Sequence, residues 1–181
     1  MSSLGSSTPK LINALMIVVL SVVASIAYGI IHDQITVRIC LEYFTVFHPL
    51  IFGMQSPTVL AFLWGIVATW WVGAFLGVLL ATAACAGSAP MRSAGSLVRP
   101  IGKLLMVVAL GATASGVIGY FLITSGALVI TESGMQRLPP QMAARFLADA
   151  FAHSGSYLVG SIGGIVLAVK VWKSRQALQE K

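Results

Sequence analysis

Apolar positions along the chain gather into four long runs separated by short stretches that hold most of the polar residues. The first runs from Leu11 to Ile31, and the second from Thr58 to about Ala83, with Pro57 restricting the backbone just before it. The third extends from Leu104 to about Ile130 and the fourth from Ser156 to Trp172. A helix needs about 20 apolar residues to cross the hydrocarbon core of a bilayer. The fourth run is shorter, but Lys170 near its end can snorkel toward water with its stem in the apolar layer. The pattern predicts an all-α transmembrane fold, a four-helix membrane bundle in which residues 1–181 form a single integral membrane domain.

Two connections carry patterns of their own. From Ile35 to Leu41, Ile35, Val37, Ile39 and Leu41 alternate with Thr36, Arg38 and Cys40, the period of a half-buried strand. The expectation is an extended segment over the bundle mouth, with continuation of the first helix as the alternative. In the extended form Arg38 and Glu42 share a face and can pair. After Pro139 and Pro140, which mark a helix start, Met142, Phe146, Leu147, Ala150 and Phe151 form an apolar stripe at helical spacing. Gln141, Arg145, Asp149 and His153 fall on another face, so Asp149 lies one turn from both Arg145 and His153. This amphipathic helix either rests on the outer surface or leads into the fourth span through Gly155.

Within the spans, small residues recur every four positions. Gly73 and Gly77, then Gly111, Ser115 and Gly119, then Ser156, Gly160 and Gly164 form faces that let helices approach closely in lipid. Trp70 and Trp71 sit mid-span, where an indole N–H needs a partner, so at least one is expected to face the bundle interior.

Composition agrees with the pattern. Hydrophobic residues make up 57% of 181 positions, above the roughly 45–50% of soluble domains. The net charge of +6 does not point to nucleic acid, because the basic residues are dispersed at the borders of apolar runs. Eight of the eleven Lys and Arg residues lie at the chain ends or in the middle loop: Lys10, Arg92, Arg99, Lys103, Lys170, Lys173, Arg175 and Lys181. By the positive-inside rule both termini are cytoplasmic, and the loops holding Arg38, Arg137 and Arg145 are outside. A cleaved signal peptide ending near Ser25 and Ala27 is the competing reading of the first run, whose length favours a retained helix. Cys40 and Cys85 then lie near opposite faces and should not pair.

The ionisable residues are concentrated outside. Two of the three histidines and two of the five acids fall between Tyr28 and Pro49. The two outer loops deliver His32, Asp33, Arg38, Glu42 and His48 from one side, and Glu132, Arg145, Asp149 and His153 from the other. These residues can converge over the outer mouth as one polar cluster. Imidazoles and carboxylates bind borderline metals, relay protons or act as acids and bases, and they also build plain hydrogen-bond networks that order loops. His32, His48 and His153 are the candidate ligands for a divalent metal, although HxxxH and HExxH spacings are missing. There is no GxSxG, phosphate-cradling glycine loop or CxxC. Cys40 as a nucleophile would need an activating neighbour.

The elements "HDQITVRIC", "EYFTVFHP" and "AHSGSYLVGSIGG" resemble a group of small, uncharacterised bacterial integral membrane proteins with an HDQ-T-R, EYFT, HP pattern. The resemblance implies residence in a bacterial cytoplasmic (inner) membrane and carries no activity. The residues themselves lead to a non-enzymatic membrane module that handles a cation or proton, or supports a transport partner, through the outer cluster. A membrane-embedded metal-dependent enzyme, with Glu42 or Asp149 as base, is the first alternative. A structural subunit that meets a membrane-protein partner or a second copy of itself through the glycine seams is the other.

Overall fold

The computed structural model describes residues 4–129 and 138–179. In chain order it comprises α1 (Leu4–Ile39), the short α2 (Leu41–Thr45), a 3-10 turn at Ile51–Gly53, α3 (Pro57–Val67), α4 (Trp70–Cys85), α5 (Ala94–Thr124), a 3-10 turn at Pro140–Met142 and α6 (Ala143–Gln179). Four segments are long and apolar enough to cross a membrane: Pro9–Ile39, Pro57–Cys85, Ala94–Thr124 and Pro140–Gln179. The chain is an all-α four-helix bundle, and no strand occurs among the described residues.

The extended segment expected at Ile35–Leu41 is instead the last turn of α1 and the start of α2. Its alternation reads equally well at helical spacing. Asp33, Thr36, Val37 and Cys40 are buried at i, i+3, i+4 and i+7, while Ile35 and Ile39 face outward. Arg38 bonds back to Gln34 one turn earlier and reaches Thr58 of α3. Glu42 is therefore not its partner. The amphipathic segment after Pro140 runs without a break into the fourth span, giving α6 a length of 37 residues.

Alanine and glycine fill much of the interior beside larger side chains such as Ile17, Leu60 and Leu97, and large apolar residues cover the exterior, an arrangement suited to lipid as the surrounding solvent. Ala61, Ala81, Ala84 and Ala112 are buried, whereas Leu110 is 68% and Phe121 63% exposed. α1 packs along α3 and α4, α5 packs along α6, and the two pairs meet chiefly where α4 touches α6. Gly73 and Gly77 lie against Ser21, Val18 and Val22 of α1; Gly111, Gly116 and Gly119 receive Val159, Ala152 and Phe151 of α6. The repeating small faces thus act within the bundle. Trp70 and Trp71, expected to turn at least one indole inward, are 51% and 53% exposed and face outward; half-buried Trp64 is the one whose indole N–H is buried.

The second span is broken between α3 and α4. Thr69 turns its hydroxyl back to the Gly65 carbonyl, a bond that commonly bends helices. The Ala68 carbonyl at the break accepts from the Tyr157 hydroxyl at 3.0 Å. At the opposite end, the loop between α4 and α5 is tied down from both chain ends. Lys10 donates to Gly87, Asn13 donates to the Arg92 carbonyl and accepts from the Ala94 N–H, and Gln179 donates to Ser88. Arg175, fully buried, donates to the carbonyls of Ala83, Ala86, Ala89 and Pro90 at 2.6–2.8 Å. A cation suits the negative end of α4, so what reads as one more tail charge is a built-in cap.

Candidate functional site

The site forms where the last turns of α1 meet the first turns of α6. α1 brings Tyr28 and, one turn further on, the adjacent His32 and Asp33 to its inner face, and α6 brings Asp149, His153 and Tyr157 at one-turn spacing. Ligand atoms of His32, Asp33 and His153 all lie within 4.8 Å of one another. The two imidazoles meet edge to face with ring centres 4.7 Å apart, and Tyr43 of α2 stacks on His153 at 4.6 Å. Tyr28 stacks on His32 at 5.6 Å.

Hydrogen-bond bookkeeping makes the arrangement specific. His153 Nδ1 lies 2.9 Å from the Asp149 carbonyl oxygen, which can only accept, so Nδ1 carries the hydrogen. His153 Nε2 then faces Asp33 Oδ1 at 3.3 Å. With a neutral imidazole and an ionised carboxylate, two lone pairs would confront each other. A proton or another cation has to stand between them. Beside this pair, His32 Nε2 is buried without a hydrogen-bond partner, and so are both carboxylate oxygens of Asp149. Burying such groups unpaired is costly, and protons or a metal ion would supply the partners they lack.

Of the sequence-predicted cluster, His32, Asp33, Asp149 and His153 come together. His48 stands one ring further out: its Nδ1 is 2.7 Å from the Tyr43 carbonyl and its ring packs at 4.6 Å from that of Tyr43 and 5.1 Å from Trp64. It is not grouped with His32 and His153 around a common point; Asp33 occupies the third position instead. Glu42 accepts from the Cys40 thiol at 3.6 Å. Arg38 is held on the exposed face by Gln34 and Thr58. Arg145 is exposed and does not pair with Asp149, whose link to His153 runs through its backbone carbonyl and not its carboxylate. Glu132 lies outside the described residues.

Cys40 sits at the corner between α1 and α2, fully buried, and burial pushes its thiol up to about 11. That is the reverse of an activated nucleophile. Burial, reinforced by the nearby charge of Asp149, also raises the Tyr43 phenol above its ordinary range, so it stays protonated. Both cysteines are free, at opposite ends of the bundle.

Beneath the cluster, a cavity of about 100 Å³ continues between the helices. Its head is formed by His32, Asp33 and His153, and its far end by Leu80, Ile101 and Leu167. Sequence reasoning did not anticipate the cavity, Tyr28 or Tyr43. The spacing Tyr28–His32 on one helix face was the available signal; the stacking of Tyr43 on His153 depends on tertiary packing. No protein-family model, curated protein or solved structure matches this chain.

Proposed function

We propose that the protein is an integral membrane module that takes up a single cation at His32, Asp33 and His153, on the outer side of a bacterial inner membrane with both chain ends cytoplasmic. The observation that carries this reading is Nε2 of His153 pointing at the Asp33 carboxyl group, with the unpartnered Nε2 of His32 beside it. Two imidazole nitrogens and a carboxylate oxygen suit a divalent first-row metal ion. The donation from His153 Nδ1 to a backbone carbonyl is the outer-shell bond that orients a metal-binding histidine. Ligand separations around a tetrahedral ion are about 3.3 Å, given metal–ligand distances near 2.0–2.1 Å; modest side-chain rotation closes the 4.8 Å group to that size. The open side faces the cavity. A proton is the smaller cation that the same geometry admits.

Titration of the detergent-purified protein with Zn²⁺ separates these. The expected result is one ion bound per chain, with affinity falling at least 100-fold in His32→Ala and His153→Ala and little changed in His48→Ala. Acidification weakens binding, because protons compete for the imidazole nitrogens. Absence of Zn²⁺ binding together with proton flux in liposomes that is lost in Asp33→Asn assigns the site to protons. Absence of both removes the proposal.

A further inference from the structure

A second groove lies at the other end of the molecule, between α5 and α6. An open groove of about 560 Å³ runs there between the two helices. Its floor and walls are apolar, from Leu104 and Val107 of α5 and Gly163, Val166 and Leu167 of α6. Its rim toward the chain ends carries Arg99 and Lys103 from α5 and Lys170 from α6, and no acid lines it. All three basic residues are exposed.

Two other cations at this end of the bundle have internal work: Arg175 and Lys10 donate to backbone carbonyls at the end of α4 and in the α4–α5 loop. Among the described residues Arg99, Lys103 and Lys170 have no such bond and no acidic partner. Arg99 and Lys103 are one turn apart on a helix, and antiparallel α6 sets Lys170 opposite them, so the charges come together from two elements. Below them the groove descends from Arg99 to Val107, eight residues or about 12 Å at 1.5 Å per residue. That is a path for hydrocarbon, and Val107 and Val166 along it are exposed. Basic pockets between membrane helices recognise anionic headgroups.

We infer that this groove holds one anionic phospholipid from the leaflet on the side of the chain ends, its phosphate among Arg99, Lys103 and Lys170 and an acyl chain along Val107 and Gly163.

Native mass spectrometry of the full chain in detergent tests this with phosphatidylglycerol, chain-matched phosphatidylcholine and inorganic phosphate. The expected result is one retained phosphatidylglycerol with at least tenfold preference over phosphatidylcholine. The triple variant R99Q/K103Q/K170Q erases that preference. Val107→Trp, which fills the groove and leaves the cations, lowers retention of both lipids, and it decides the matter if the triple variant does not fold. Equal retention of the two lipids by the wild type overturns the inference, as does a preference that survives both variants. Displacement by inorganic phosphate with no effect of Val107→Trp overturns it too, by showing a site for the phosphate group alone.

Discussion

Asp149 shows how much a single residue's position decides. It is fully buried with neither carboxylate oxygen hydrogen-bonded, and it lends its backbone carbonyl to His153. The carboxyl group therefore lies close to the proposed cation site without being a ligand. Asp149→Asn keeps the shape and removes the capacity to ionise when a cation enters, and it is expected to weaken Zn²⁺ binding about tenfold, as outer-shell changes do; unchanged affinity would deny it that role. At the other end, Arg175→Ala leaves four carbonyls without their donor. It should lower stability by about 3 kcal/mol or more, with Arg175→Lys intermediate because an ammonium cannot fork as a guanidinium does, both read from thermal unfolding in mild detergent. Cys40, in a Cys85→Ser background, should react with a maleimide at neutral pH at least tenfold more slowly in the folded protein than after denaturation. Its rate should climb as pH approaches 11, where the buried thiol ionises.

At the scale of elements, the apolar runs foretold four helices able to cross a membrane because three are long and free of charge and the fourth holds only Lys170, near its end. It misjudged the end of α1, where Thr36 and Cys40 point into the bundle while Ile35 and Ile39 meet the surroundings. In a lipid-facing helix, polarity does not mark the exposed face, so a helical pattern can mimic alternation. The four-residue spacing of small residues revealed which faces of α4 and α5 approach a neighbour, but not which glycines are indispensable. Gly65 touches Ile30 of α1 so closely that an added Cβ would fall 2.5 Å from its backbone nitrogen, whereas at Gly160 the nearest atom would be 3.8 Å away. Gly65→Ala should cost about 1–3 kcal/mol, the usual range for overpacking, and Gly160→Ala close to nothing. Similar thermal midpoints for the two would mean that α1 and α3 separate more readily than their contact suggests.

Across the whole molecule, the two ends of the bundle do different things. One is closed by Arg175 and Asn13 over a short loop flanked by basic residues; the other gathers imidazoles and acids above an apolar cavity. The gathering of His32, Asp33, Asp149 and His153 was legible in the sequence, because each flanks or ends a span on the same side. Tyr43 and the exclusion of His48 from the inner group were not, since both follow from how α2 folds back over α6. Topology reporters at either chain end should read cytoplasmic, by the distribution of Lys and Arg; periplasmic readings at both would turn the cation site to the inside. The most direct measurement on the proposed cation site is X-ray absorption at the zinc edge of the protein loaded with one Zn²⁺. Scattering from two imidazole rings with oxygen completing the shell is expected, reduced to one ring in His153→Ala. A shell of oxygen atoms alone, unchanged by that substitution, would contradict it.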